Sequence, residues 1–445
     1  MGKNHKKINI ITLGCSKNLV DSEVLMHQLK ENKFSLSESS DDADIAVINT
    51  CGFIEAAKQE SIDTILQAVA LKKEKKIKKV IVMGCLSERY AAELKKEIPE
   101  VDEYIGANKM DQVVQTLGGG YKYELLGERV LTTPQHFAYL KISEGCDRPC
   151  SFCSIPLMRG KHVSKPMERI ILEAQRLAAL GVKELIIIAQ DSTYYGLDIY
   201  GKRMLARVLE QLGTIEGIEW IRLMYAFPTG FPIEVLEQYN TNPKLCRYLD
   251  IPIQHVADPV LTSMRRGIRS SQLRTLIETI RTKVPGIALR TTLIVGYPNE
   301  GDKEFEELLN FVNESRFNRL GVFTYSQEDG TTAYPLGDPI PEAVKEERRT
   351  LIMQAQQRIS REHNEKLLDT AINVLIDSKD GDAAIGRTEH DAPEVDNEVT
   401  IYSAEKLSVG HFYKVAVVDT SEYDVVALPL SETPAAEYMM KERMT

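Results

Sequence analysis

Cys146, Cys150 and Cys153 form a CxxxCxxC run inside residues 144–153. Thiolates are the preferred ligands of iron–sulfur clusters, and spacings this short let one loop wrap a cluster. Three ligands leave one iron of a four-iron core without a protein partner, so an exogenous ligand can take that position. A structural zinc site would need a fourth Cys or His nearby, and His162 stands at an unusual spacing from the loop. A ferredoxin would normally supply a fourth cysteine. The run therefore reads as a three-ligand cluster with one open iron.

Cys15, Cys51 and Cys85 look unrelated at first, being 36 and 34 residues apart. The elements around them change that reading. Apolar strands are expected at 7–13, 44–49 and 79–84, with helical patterns at 19–29, 56–71 and 88–98. Short apolar strands alternating with helices mean parallel βαβ units. Each cysteine then falls just beyond the carboxyl end of a strand, where open parallel sheets bind their ligands. Three thiols converge on one site in this reading. The plain alternative is three small apolar residues in loops, although exposed free thiols are a liability.

Composition limits the context in which these cysteines work. The chain has 445 residues, enough for two to four domains, with 43% hydrophobic and 27% charged residues and a net charge of −10. That balance gives no general attraction to nucleic acid, although a local basic patch can supply one. No apolar stretch reaches the roughly 18 to 20 residues of a membrane span. Lys6 and Lys7 precede an apolar run that ends near Cys15, but the run is shorter than the roughly 7 to 15 residues of a signal core. A cytoplasmic, reducing location is expected, which leaves metal ligation or burial to explain the cysteines. Cys246 has no cysteine neighbour and is expected to be a buried small residue.

The fold class expected is α/β with a small all-β module at the end. Residues 1–120 form the first domain and end at the glycine run 118–120, with a linker over 121–137. Residues 138–368 carry six further strands, at 139–143, 184–189, 219–224, 247–253, 288–295 and 319–325, with helices between them. Six βα repeats suit a partial barrel, a complete barrel or a wide open sheet. Residues 339–368 look like a helical connector. Short strands at 373–377, 398–401, 413–419 and 424–428 suggest a small barrel over 369–432, followed by a polar tail at 433–445.

The CxxxCxxC loop resembles that of the radical S-adenosylmethionine superfamily. The resemblance implies a 4Fe-4S cluster whose open iron chelates S-adenosyl-L-methionine, and a cofactor cleaved to a 5′-deoxyadenosyl radical. Phe152 matches the family position near the adenine, with core packing as its competitor. Gly296, at the end of the strand 293–298, matches the glycine near the cofactor. The segments 13–18, 49–53 and 83–86 around Cys15, Cys51 and Cys85 resemble the N-terminal domain of the methylthiotransferase family. That similarity runs through nearly the whole chain, including a C-terminal TRAM domain. It implies a central (βα)6 partial barrel and a second, auxiliary 4Fe-4S cluster on the three N-terminal cysteines, which carries the sulfur to be inserted. No side-chain base is required, and no catalytic dyad is evident.

Known branches of the family modify an adenosine in tRNA or an aspartate in ribosomal protein S-12. Between residues 371 and 430 there are four basic residues against twelve acidic ones. A nucleic-acid-binding barrel usually presents a basic groove, so this module suits a basic protein and no tRNA is expected. Segments 386–396, 49–63 and 191–196 also resemble the ribosomal-protein branch. The expected partners are S-12, free or in the small subunit, a low-potential electron donor such as flavodoxin or ferredoxin, and a sulfur donor. Three weaker signals carry less. The GxxxxGK pattern at 196–202 lacks the following Ser or Thr and starts too late after its strand for a phosphate loop. The lysine run 72–76 reads as a solvated helix end. The basic stretch 159–165 and Arg265-Arg266 could hold ribosomal RNA or pair with acidic groups.

Overall fold

The computed structural model describes residues 6–125 and 127–430. In the first domain, β1 (Lys7–Thr12), β2 (Ser35–Ser37), β3 (Ile45–Thr50), β4 (Lys79–Gly84) and β5 (Glu103–Gly106) form a parallel sheet in the order β2-β1-β3-β4-β5. The three apolar strands expected from sequence lie at its centre. Helices α1 (Ser16–Glu31), α2 (Glu55–Lys73), α3 (Cys85–Glu97) and α4 (Met110–Thr116) connect and cover them. Side chains alternate across the sheet, so Ile48, Val80 and Val82 pack on one face while Val47, Ile81 and Met83 pack on the other. The register pairs Thr12 with Asn49 and Asn49 with Met83, which brings the three strand ends level.

The central domain contains β6 (Phe137–Lys141), a short antiparallel ribbon of β7 (Ser143–Glu144) and β8 (Val163–Ser164), and then β9 (Glu184–Ile188), β10 (Trp220–Leu223), β11 (Leu245–Asp250), β12 (Ala288–Val295) and β13 (Arg319–Thr324). Six parallel strands lie in the order β13-β12-β11-β10-β9-β6. Consecutive strands are neighbours and the two ends do not meet, which makes this a partial barrel. Helix α5 (Ile155–Arg159) sits within the β6–β9 crossover. The helix expected to be a connector, Glu342–Glu365, packs on this domain: Ile352, Ala355 and Ile359 join its core, and Gln356 donates to the Phe317 carbonyl at 2.9 Å.

The C-terminal module is a closed barrel of β14 (Ala371–Asp380), β15 (Ala383–Arg387), β16 (Val399–Ile401), β17 (Phe412–Thr420) and β18 (Val425–Pro429). It seats against inward-facing side chains of the central sheet. Leu375 and Ala392 join Phe137, Tyr139, Trp220, Cys246 and Tyr248 in one apolar cluster, and Trp220 meets Phe412 edge-on at 4.8 Å. Cys246 is 1% exposed within this cluster.

The same seam changes the meaning of the module's acidity. Asp377 pairs with His136 and Arg387, each at 2.7 Å, and Asp391 pairs with Arg319. Asp396 accepts from Tyr248 at 2.7 Å and lies 3.3 Å from Arg290, and Glu389 accepts from the Arg247 amide at 2.9 Å. Glu394 accepts from Tyr139. Five of the twelve acidic residues therefore face the central domain. The remainder, including Asp380, Asp382, Glu398, Glu405, Asp419 and Asp424, are exposed except for the partly covered Glu422. The tail expected at 433–445 lies outside the described residues. Among the described residues no helix is long and apolar enough to cross a membrane.

Candidate active site at the domain junction

Cys15 caps the start of α1 and Cys85 is the first residue of α3, while Cys51 follows β3. Two glycines let the loops approach. Gly14 has φ +87°, and a Cβ there would fall 2.9 Å from the Cys51 sulfur; at Gly84, with φ +104°, it would fall 2.6 Å from the Thr50 carbonyl. Asn18 ties the loops together by donating to the Leu13 and Thr50 carbonyls at 2.8 and 3.1 Å. Ser61 fixes the Cys51 backbone, accepting from its amide at 3.1 Å and donating to its carbonyl at 3.0 Å. The sequence-predicted triad is thus brought to the carboxyl end of the sheet, with Cys51 and Cys85 buried and Cys15 exposed.

The second triad lies just past β6. The Cys146 amide donates to the Gly160 carbonyl at 3.1 Å, and the Arg148 amide donates to the Cys146 sulfur at 3.4 Å. Arg266 donates to the Cys150 sulfur at 3.3 Å. Ser151 straps the loop to its surroundings: its amide reaches the Met264 carbonyl, its carbonyl accepts from Ala333, and its hydroxyl meets Tyr297 at 2.9 Å. Gly145 has φ +71°, and a Cβ there would strike the Lys161 carbonyl.

Burial makes the bare thiols of Cys51, Cys85, Cys146 and Cys153 reluctant to ionise. It pushes Cys85 and Cys146 up to about 11, with Arg159 and Arg148 respectively acting in the opposite sense. Burial and the neighbouring Cys150 push Cys153 up to about 12, and burial also raises Cys51. Metal binding offsets that cost because it takes the thiolate and releases the proton. Among the described residues no three Cys, His, Asp or Glu side chains converge tightly enough for a single ion. Three thiols on level strand ends and three on one loop are the kind of soft donor set that suits an iron–sulfur core.

Phe152 is partly buried among Ala257, Val260, Met264, Ile294, Tyr297 and Tyr325. It packs, and it packs beside the β12 end that carries Gly296. Gly296 has φ +76°, its amide donates to Glu300 at 3.0 Å, and a Cβ there would meet the Lys345 stem at 2.3 Å. The geometry gives both residues packing reasons while holding them next to the Cys146–Cys153 loop.

The junction between the triads was not readable from the sequence. Helix α5 begins two residues after Cys153, and its five residues span about 7 Å. Ile155 and Met158 of this helix pack on Cys85. Arg159 at its end donates to the Cys85 sulfur at 3.3 Å and to Asp21 at 2.6 Å. Lys17 lies 3.0 Å from the centre of the Tyr225 ring, and Lys58 and Arg89 both pair with Glu328, at 2.8 and 2.9 Å. Sequence reading left the basic stretch of Arg159 open between RNA contact and pairing with acidic groups; the structure pairs Arg159 with Asp21 and Glu144 in a buried network. Lys165 likewise pairs with Glu173 at 2.6 Å, and Arg266 stacks on Phe227 at 4.1 Å.

The partial barrel with a three-cysteine loop at its strand ends defines a radical S-adenosylmethionine enzyme. Matching family models agree: Uncharacterized protein family UPF0004 over residues 7–106, the Radical SAM superfamily over 140–312 and the TRAM domain over 370–429. A ribosomal protein uS12 methylthiotransferase RimO from Christiangramia forsetii is 54% identical over 428 residues, covering 96% of this chain and 95% of that protein. Its counterpart from Cytophaga hutchinsonii is 52% identical over 427 residues, covering 95% and 98%. The chain belongs to the RimO family of methylthiotransferases. Among solved structures, the radical S-adenosylmethionine methyltransferase TsrM from Kitasatospora setae superposes with a TM-score of 0.57 at 12% identity, over 84% of this chain and 79% of that one. That likeness concerns the fold alone.

Proposed function

We propose that this methylthiotransferase binds two 4Fe-4S clusters, one on Cys15, Cys51 and Cys85 and one on Cys146, Cys150 and Cys153. S-adenosyl-L-methionine binds at the second, beside Phe152 and Gly296. The observation that carries this reading is the meeting of two thiol triads across the single short helix α5. When bound, the Cys146–Cys153 cluster supplies the electron that cleaves S-adenosylmethionine, and the auxiliary cluster supplies the sulfur.

The chain's own residues set the geometry. Asn18 and Ser61 hold the first three cysteine loops, and Ser151, Tyr297 and Arg266 hold the second. The Lys17–Tyr225 contact and the Glu328 ion pairs tie the N-terminal domain to the central domain beside the cysteine loops.

The substrate is an aspartate of ribosomal protein S-12 (uS12), free or in the small subunit, and the net change replaces a hydrogen on its β-carbon with a methylthio group. The names of the relatives and the exposed acidic side of the C-terminal barrel support this choice, since ribosomal proteins are strongly basic. A low-potential donor such as flavodoxin or ferredoxin and a separate sulfur donor complete the reaction, in the cytoplasm. The test is mass spectrometry of S-12 after anaerobic incubation with S-adenosylmethionine and reductant. One added methylthio group on an aspartate is expected. Modification of an anticodon-arm tRNA with S-12 untouched would overturn the assignment.

A further inference from the structure

Arg159 is 3% exposed and spends its guanidinium on four partners. Nε donates to the Cys85 sulfur at 3.3 Å, Nη1 donates to Asp21 at 2.6 Å and Glu144 at 3.3 Å, and Nη2 donates to the Asn18 side-chain oxygen Oδ1. Each partner leads to a part of the machinery. Asn18 carries the loops of Cys15 and Cys51 through its own donated bonds. Glu144 opens the Cys146–Cys153 loop and accepts from Lys141 at 2.7 Å and from Gln190 at 2.6 Å. Asp21 also pairs with Lys141.

Two cations, Arg159 and Lys141, therefore face two carboxylates, Asp21 and Glu144, and the Cys85 sulfur is a further acceptor beside a balanced set. A hydrogen bond from a cation to a ligand sulfur draws electron density from the cluster and favours its reduced form. A planar fork is needed to reach the sulfur and both carboxylates together, which a lysine ammonium cannot do.

We propose that Arg159 is a positioning residue that sets the reduction potential of the auxiliary cluster and fixes that cluster in register with the S-adenosylmethionine loop. The inference rests on the auxiliary cluster proposed above. It assigns a basic residue to redox tuning in place of RNA contact.

The test uses the full chain with Cys146, Cys150 and Cys153 all replaced by alanine, so that only the auxiliary site remains. Iron content and an EPR-monitored redox titration are compared for Arg159, Arg159→Lys and Arg159→Met. The midpoint potential is expected to fall in Arg159→Met, with Arg159→Lys between the two. Equal potentials at equal iron content would overturn the proposal, because a merely structural residue alters stability and leaves the potential in place. Where Arg159→Met retains no iron, Arg159→Lys decides: a lowered potential supports the role, and an unchanged one refutes it. Failure of the Arg159-containing background itself to bind iron would instead refute the auxiliary cluster.

Discussion

Glu184→Gln tests the seam between the partial barrel and the C-terminal module. Glu184 is fully buried on β9, 2.7 Å from Arg222 and 2.9 Å from Arg387, and Arg387 also pairs with Asp377 at 2.7 Å. Burial alone would raise its carboxyl, yet the Arg387 and Arg222 guanidiniums hold it below the usual range. Two guanidiniums and two carboxylates balance. Glutamine keeps the shape and removes one negative charge, so one buried positive charge is left without compensation. Breaking a buried pair in this way costs about 3–5 kcal/mol, which is a factor of about 10² to several thousand in the equilibrium. Trp220 is the one tryptophan of the chain and touches Phe412 across the seam, so its fluorescence during urea unfolding reports their separation. The midpoint is expected to move to clearly lower urea. A loss below about 1 kcal/mol, the range of surface pairs, would refute the charge-balance reasoning.

Serine at Cys15, Cys51 or Cys85 is expected to halve the iron content and abolish methylthio transfer, with 5′-deoxyadenosine formation still measurable by chromatography. Cluster reconstitution after chelation should improve as pH rises from 7 to 9, because thiols held near 11 or 12 must lose protons on binding iron; the absorbance of the rebuilt cluster reads this out. Gly296→Ala should destabilise the central domain by about 1–3 kcal/mol, given its positive φ and the Lys345 stem behind it, as read by thermal unfolding. Burial would raise the Asp377 carboxyl, but His136 and Arg387 hold it below its ordinary 3.8. Its contribution to barrel docking is therefore present above that value and lost as pH falls through the lower native one. Trp220 fluorescence across an acid titration checks this.

The central strands were legible because β3, β4 and β9 are buried on both faces and read as apolar runs. From there, parallel pairing alone levels the ends and gathers Cys15, Cys51 and Cys85. The edge strands β2 and β5 and the barrel strand β15 were not legible. They are short and, in Ser35–Ser37 and Ala383–Arg387, built from small or polar residues whose pairing comes from neighbours. The partners of charged residues were not legible for a related reason. Arg159 meets Asp21 from 138 positions away, and Asp391 meets Arg319 from 72 away, so their neutralisation is invisible to local pattern. The acidic count of the C-terminal module thus overstated the charge it presents to a partner.

Whether two clusters exist per polypeptide is decided by anaerobic iron and acid-labile sulfide analysis of the fully reconstituted chain. The six ligating cysteines predict about eight irons and eight sulfides, with Cys15, Cys51 and Cys85 protected from alkylation. A saturated content of about four of each, with those three thiols freely alkylated, would contradict the account.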